Sequence, residues 1–326
     1  MSHEAWHRSE PATVLMLAVG LDLIFSEPPA RLHPVVGIGE LISFLERVAP
    51  KESQQLLSFL YGTGATAAIV GATALLAAAA DGHAGSLPKL PRLVLKAVVL
   101  KPAFSLRLLL ESGSTVRRAL ERGDRPDARL ALRSLVSRST TSLSSDECAA
   151  AAIESLAENT TDSVIGPWLF YAFGGLPAVW LFRAANTLDS RWGYHGRYEW
   201  LGRSAAKLDD LLAFVPARLS AFLLIAASPL GPGSPATAWR ALRRDRARTE
   251  SPNAGWTMSA MAGALDRRLE KPGHYRLNSL GSGPTHDDIR RAQRITIAAA
   301  VLGLALSAGL SRRILRSSRG GRACGA

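Results

Sequence analysis

The sequence is poor in cysteine, in charge and in aromatic rings. Cys148 and Cys324 are its only two thiols in 326 residues, which excludes a disulfide scaffold. No Cys-x-x-Cys pair is present, so four-cysteine zinc sites are excluded as well. Charged residues make up 20% of the chain, against about 25% in a typical soluble domain. Apolar residues make up 47%, too many for disorder across most of the chain. Several motifs are missing too. There is no G-x-x-x-x-G-K-[ST] loop, no third glycine after Gly37-x-Gly39, no G-x-S-x-G elbow and no H-E-x-x-H pair. No intact internal repeat is visible.

What charge there is leans one way. Lys and Arg number 39 and Asp and Glu 27, a net +12. This balance favours anionic headgroups, polyanions or phosphorylated ligands. The tail, residues 312–326, holds Arg312, Arg313, Arg316, Arg319 and Arg322 and no acid. It reads as solvated or lipid-facing rather than as a nucleic-acid arm, because no aromatics are interleaved for base stacking. No nucleic-acid partner is expected.

Long uncharged runs replace the missing charge. Residues 58–80 carry none at all, and a bilayer core needs about 20 apolar residues as helix. The bland alternative for this run is a soluble, alanine-rich core helix. Residues 163–182 are also uncharged and hold Trp168, Tyr171 and Trp180, which suit interfacial belts. Pro167 and Pro177 predict a broken or re-entrant segment there. Residues 211–230 contain one charge, Arg218, and residues 295–311 form a shorter fourth candidate. Residues 12–25 are short and interrupted by Asp22, while 90–110 carry Lys96, Lys101 and Arg107 and read as an interfacial or soluble amphipathic helix. Glu4 and Glu10 precede the first apolar stretch, so no signal peptide is expected. The fold class is therefore all-α: a single multi-pass helical membrane domain over 1–326, with soluble helices and loops between its spans.

The polar segments carry the chemistry. Residues 115–135 show helical spacing interrupted at Gly123-Asp124. Ser144 to Glu147 forms a capping box that should open a helix running to about Gly166-Pro167. On it Glu154, Glu158 and Asp162 recur every four residues and form one acidic stripe. Like charges at this spacing repel, which points to a cation, with Mg²⁺ held by one or two carboxylates and substrate phosphates. A solvated acidic face balanced by arginines is the alternative. Asn159 adds an amide beside the stripe.

Residues 186–210 pack Asn186, Asp189, Tyr194, His195, Arg197, Tyr198, Glu199, Lys207, Asp209 and Asp210 between apolar runs. Either this is a functional surface or a wet loop; His195 reads as an ordinary loop histidine. In Ser26 to Pro34 the prolines force an extended path, with Asp22, Glu27, Arg31 and His33 near in sequence. Ser251 to Trp256 is a turn by composition, with amides available for an anion nest.

In order, LDLIFSEPPARLHPVVGIGELI (21–42), ALRSLVSRSTTSLSSDE (131–147), ESLAENT (154–160), NTLDS (186–190), LDDLLAFVPAR (208–218) and SPNAGW (251–256) resemble the CobD/CbiB family of cobalamin biosynthesis, adenosylcobinamide-phosphate synthase. The resemblance spans about residues 21–280 and rests on the combination, since no single piece is specific. It implies a multi-pass inner-membrane ligase that joins adenosylcobyric acid to aminopropanol, usually as its O-phosphate, by an amide bond. ATP and Mg²⁺ are the implied cofactors, and other membrane enzymes of the pathway are candidate partners. The chain departs from the family pattern at Ser139, where an aspartate is usual, at Ala213-Phe214 and at Glu27. If the missing aspartate holds metal, turnover is expected to fall.

Amide formation from a carboxylate needs activation, positioning and charge stabilisation. Under that chemistry Glu154, Glu158, Asp189, Asp209 and Asp210 are the expected catalytic groups. Glu158, Asp162 and Asp209 are the expected Mg²⁺ ligands. Arg138, Lys207 and Arg218 are expected to hold phosphate or propionate, since the arginine fork suits both. Asn159, Asn186, Tyr194, Tyr198, Asn253 and His33 are expected to orient substrates. A membrane transporter and a non-catalytic scaffold are the rival classes. Broken spans suit a transport path, but the acids cluster at segment ends rather than at mid-membrane.

Overall fold

The computed structural model describes residues 10–194 and 196–323, with side chains as far as Arg312. His195 and the tail arginines beyond Arg312 lie outside the residues whose side chains are described. In chain order the helices are α1 (Glu10–Phe25), α2 (Pro34–Arg47), α3 (Gln55–Gly85), α4 (Lys89–Leu100), α5 (Leu106–Glu121) and α6 (Arg125–Leu132). They continue as α7 (Ser145–Thr160), α8 (Gly166–Trp192), α9 (Arg203–Ala227), α10 (Pro235–Asp245) and α11 (Ala254–Leu265). A hairpin of β1 (Leu269–Lys271) and β2 (Tyr275–Leu277) precedes α12 (His286–Ala323). The all-helical expectation holds except for this hairpin, which turns on Gly273 at φ +78° and pairs Leu269 with Leu277.

Among the described residues, four helical stretches are long and apolar enough to cross a membrane: Gln55–Gly85, Ser145–Trp192, Arg203–Leu230 and His286–Arg312. Each contains one of the runs expected from sequence. Their outward faces are apolar: Leu75 and Leu76 on α3, Leu211 and Val215 on α9, and Val301 and Leu306 on α12 are all exposed. In water such a surface would be a liability, and in lipid it is the ordinary solvent-facing side.

The chain divides into two compact units. Unit 1 comprises residues 1–105, 166–212 and 304–326. Its core packs α3 against α8 through Ile69, Val70, Ala184, Leu188 and Trp192, with Leu201 from the turn before α9 and Ala205 from its first turns. Gly62 permits this approach, because a Cβ there would overlap the Leu201 carbonyl oxygen. Unit 2 comprises residues 106–165 and 213–303. At its centre α7 is buried on every side from Cys148 to Ala157, touching α5, α6, α11 and β1. Its alanines let those neighbours come close.

Local signals behave as their chemistry requires. The Ser144 hydroxyl accepts from Glu147 N–H at 3.3 Å, and Glu147 accepts from Ser144 N–H at 2.7 Å, the expected capping box. The expected break at Gly123-Asp124 separates α5 from α6, and Asp124 caps α6 by accepting from Asp127 N–H at 3.0 Å. The helix opened by Ser144 does not stop at Gly166-Pro167. It passes through a π-helical segment, Thr161–Ile165, whose wider turn relieves the clash between the Pro167 ring and the carbonyl four residues before it. The break predicted from the two prolines instead falls at Gly174 and Gly175, with Gly175 at φ 65° and ψ −154°. Only glycine adopts that conformation at low cost. Pro177 then sits in the first turn of the resumed helix, where its missing N–H is harmless. The proline-rich Ser26–Pro34 segment is not simply extended, because Ala30–Leu32 form a 3₁₀ turn before α2.

The Gly175 break yields a direct test. A Cβ at Gly175 meets nothing closer than Pro177 Cδ at 3.8 Å. Gly175→Ala should therefore act through backbone conformation alone, lowering stability by about 1–3 kcal/mol. Thermal unfolding of the purified variant in detergent checks this.

Candidate functional site

Polar side chains gather separately within each unit. In unit 2 the Arg138 guanidinium meets the buried Glu154 carboxylate at 3.1 Å. Glu154 Oε1 and Arg138 Nε are buried without hydrogen-bond partners among the described residues. Buried polar atoms left unpaired are uncommon and call for a functional or structural reason. Tyr275, brought in by the hairpin, lies beside Glu154. Burial and the charges of Glu154 and Glu158 push its hydroxyl above the usual tyrosine range, so it stays a proton donor at neutral pH.

Glu158 is half-buried one turn further along α7. Asn159 donates to the Ser155 carbonyl at 3.0 Å and accepts from Ser163 Oγ at 2.9 Å, so both ends of its amide are engaged within the protein. Asp162 falls in the π-helical segment, where the regular four-residue spacing is lost. Ser139, in the place where the family usually has aspartate, is exposed and meets the Thr141 hydroxyl at 3.1 Å.

Two sequence motifs meet elsewhere in unit 2. Arg218, from P-A-R, donates to Asn253 Oδ1 at 2.7 Å, across 35 residues of sequence. Its guanidinium also lies over the Phe214 ring at 3.5 Å and the Trp256 ring at 4.6 Å. Ser251 Oγ accepts from Asn253 N–H and Ala254 N–H, both at 3.2 Å. Those amides are therefore spent capping α11, and the expected anion nest in this turn is not open.

In unit 1, Asn186 bridges Asp209 and Arg183 through contacts of 3.4 Å each. Asp189 and Asp210 stand close enough for their charges to repel. Lys207 reaches Asp210 only at 3.8 Å from an exposed position, an ion pair of small energetic weight. Tyr194 is exposed. Tyr198 turns away from these acids and donates to Glu46 on α2 at 2.7 Å.

His33 does not offer a free ring nitrogen. Its Nδ1 accepts from Val35 N–H at 3.2 Å, capping α2, and its Nε2 faces Glu27 at 2.9 Å. The acceptor role of Nδ1 places the proton of the neutral ring on Nε2. Buried Lys101 meets Glu27 at 2.8 Å and Asp22 at 3.1 Å; these are charge contacts at angles outside hydrogen-bond geometry. Burial opposes ionisation of Glu27, but its polar contacts with His33, Lys101 and Ser105 and the Lys101 charge outweigh it and hold its pKa at about 2. Lys96 likewise pairs inward, with Glu10 at 3.3 Å and Asp81 at 3.1 Å. Residues 90–105, the unit 1 part of the 90–110 segment, thus belong to the packed interior of that unit as much as to a surface.

The expected metal ligands are divided between the two units. Glu158 and Asp162 lie in unit 2 and Asp209 in unit 1. Among the described residues no three His, Cys, Asp or Glu side chains stand close enough to hold an ion. Mg²⁺ seldom uses an all-protein cage, and takes one or two carboxylates with phosphate oxygens and water. Glu154 Oε1, Glu158 and Asp162 offer carboxylate oxygen, the donor type that such a hard ion takes. Tyr275, Lys101 and Trp256 were not among the expected site residues. Asp22 and Lys101, charges interrupting apolar runs, were the available signal for one of them.

These features define a helical membrane protein with buried polar centres. The CobD/CbiB protein family model matches residues 15–302. The cobalamin biosynthesis protein CobD of Dehalococcoides mccartyi is 40% identical over 281 residues, 85% of this chain and 87% of the relative. A probable cobalamin biosynthesis protein CobD of Methanothermobacter thermautotrophicus is 37% identical over 299 residues, 91% of this chain and 97% of the relative. A third, from Methanocaldococcus jannaschii, is 35% identical over 269 residues, 82% of this chain and 88% of the relative. The chain belongs to the CobD/CbiB family. No solved structure matches it.

Two outcomes follow for the Lys101 network. Lys101→Met leaves Asp22 and Glu27 without their cation and should cost about 3–5 kcal/mol, read by thermal unfolding. Glu27 is depressed from its ordinary 4.5 to about 2. Its contribution should therefore be complete above about pH 4.5 and vanish as pH falls through 2. The stability gap between the native chain and Glu27→Gln, followed across that range, should shrink accordingly.

Proposed function

We propose that this chain is an amide-bond-forming ligase of cobalamin biosynthesis in the inner cell membrane, joining adenosylcobyric acid to aminopropanol O-phosphate or aminopropanol. Family membership across residues 15–302 and the names of the relatives support the pathway. The observation that carries the chemistry is the buried Arg138–Glu154 pair with its orphaned carboxylate oxygen, beside Tyr275 and one turn from Glu158.

In the proposed reaction the corrin carboxylate takes the γ-phosphoryl group of ATP, giving an acyl phosphate and ADP. The neutral amine then attacks the acyl carbon, the bond to the phosphate oxygen breaks, inorganic phosphate leaves, and the nitrogen gives up one proton. Glu154 Oε1, which has no hydrogen-bond partner among the described residues, would receive that proton. Arg138 orients the Glu154 carboxylate, and Tyr275 offers a neutral donor to developing negative charge. Glu158 and Asp162 would hold Mg²⁺, which supplies positive charge against the phosphates. In unit 1 the Asn186–Asp209 pair is a second acidic centre, whose part in turnover is measured by Asp209→Asn.

Purified protein given the corrinoid acid, aminopropanol phosphate, ATP and Mg²⁺ should yield the amide by mass spectrometry. Vesicle uptake of the corrinoid without product would favour a transporter instead. Glu154→Gln should lower the ligation rate by about 10²–10⁴-fold, measured per folded protein, because the variant also leaves Arg138 without its charge partner and its melting temperature should fall. Near-normal ligation in Glu154→Gln, Glu158→Gln and Asp209→Asn alike would remove the acidic centres from the reaction.

A further inference from the structure

Beyond the acidic centres, unit 2 contains a cationic cluster that the proposed reaction does not use, in which Arg246 joins Arg218. Trp256, at the start of α11, is flanked by two guanidinium groups: Arg218 at 4.6 Å from the ring centre and Arg246 at 5.2 Å. Arg218 comes from α9, and Arg246 from the residue that ends α10. The backbone between Arg246 and Trp256 doubles back tightly, so that a Cβ on Gly255 would overlap the Arg246 carbonyl oxygen. This close approach sets the second arginine against the indole. Arg218 is fixed further by Asn253 Oδ1, the Phe214 carbonyl and the Phe214 ring.

Neither arginine has a carboxylate within ion-pair distance among the described residues, although acids are close in sequence. Asp245 is buried and already shared by Arg244 at 3.0 Å, Arg248 at 2.9 Å and the Asn278 N–H at 2.8 Å. Glu250 faces His274 at 3.2 Å. The nearby negative charge is thus consumed by other partners, and two half-buried guanidiniums are left with aromatic faces and neutral oxygens alone. Arg218 also sits within a helix long and apolar enough to span a membrane, where an uncompensated cation is expensive and ordinarily marks a site. Cation–π contacts order a guanidinium but leave its charge uncancelled.

We propose that Arg218 and Arg246, held on Trp256, form a binding site for a phosphomonoester dianion. Two arginine forks match the charge and the several acceptor oxygens of that group better than those of a single carboxylate. The ligand is either the phosphate of a soluble phosphorylated substrate or the headgroup of a phosphomonoester lipid. Only the identification of the soluble ligand as the amine substrate rests on the proposed ligase activity.

The test uses the full chain purified in dodecyl maltoside, which carries no phosphate. Calorimetric titration with inorganic phosphate should show binding that weakens roughly ten- to a hundredfold in Arg218→Ala and in Arg246→Gln. Arg246→Lys, which keeps charge but loses the fork, should recover only part of it. Arg246→Gln lies at a half-exposed helix end and keeps the test valid should Arg218→Ala misfold, as judged by thermal unfolding. A second arm reconstitutes the chain in nanodiscs of phosphatidylcholine with or without phosphatidic acid. Loss of phosphate binding only when phosphatidic acid is present assigns the site to a lipid headgroup; unchanged binding assigns it to a soluble phosphomonoester. Absent phosphate binding, or binding indifferent to both arginines, overturns the proposal. Arginine-dependent phosphate binding without ligation would leave this site standing and remove the ligase reading. Ligation with arginine-indifferent phosphate binding would do the reverse.

Discussion

A charge taken out of water must find a partner, and that requirement organises both units of this chain. The interior of unit 2 is built around an alanine-rich helix buried on all sides, so Glu154 on that helix has no solvent to stabilise it. Arg138 answers the charge but leaves one carboxylate oxygen unbonded. In unit 1 the same requirement is met by charge contacts. Lys101 lies between Asp22 and Glu27, and His33 completes the group while capping the next helix. Breaking either arrangement by removing one partner is far more costly than never having built it. Such groups are therefore retained for what they fix in place or bind.

The exterior obeys the opposite rule. Leucine, valine and phenylalanine side chains stand exposed along α3, α9 and α12, a distribution suited to lipid. Within such helices irregular backbone must be tolerated locally. The π-helical turn before Pro167 and the glycine pair at 174–175 provide the two departures in the Ser145–Trp192 stretch. Each has an identifiable cause, a proline ring in one case and a glycine-only backbone conformation in the other.

The motifs that carry the family resemblance acquire meaning from their contacts. P-A-R and S-P-N-A-G-W are far apart in sequence but share the Arg218–Asn253 hydrogen bond and the Trp256 ring. Arg246, which belongs to neither motif, joins them through a loop that closes on Gly255. E-S-x-A-E-N-T supplies Glu154 and Glu158, yet Glu154 is completed by Arg138 and by Tyr275 from the hairpin. The acidic stripe is thus not a surface of like charges. Its first member is buried and paired, its second is half-buried, and its third stands where the helix widens.

Much was legible in the sequence because it depends on neighbours a few residues apart. Apolar runs with at most one charge marked the four membrane-crossing candidates found among the described residues. The Ser144 capping box and the Gly123-Asp124 break followed from local hydrogen bonding and glycine geometry. The partners of the polar residues were not legible, because they are set by which faces pack together. His33 is committed to Glu27 and Val35, Tyr198 to Glu46, and Asn159 to its own helix. The hairpin that delivers Tyr275 is only three residues per strand, too short to leave a periodic trace. Local sequence thus determined where helices form and which faces are apolar, since propensity and hydropathy act at short range. Only tertiary packing decided which charges are neutralised and which are left for a ligand, since that depends on residues the chain brings together from far apart.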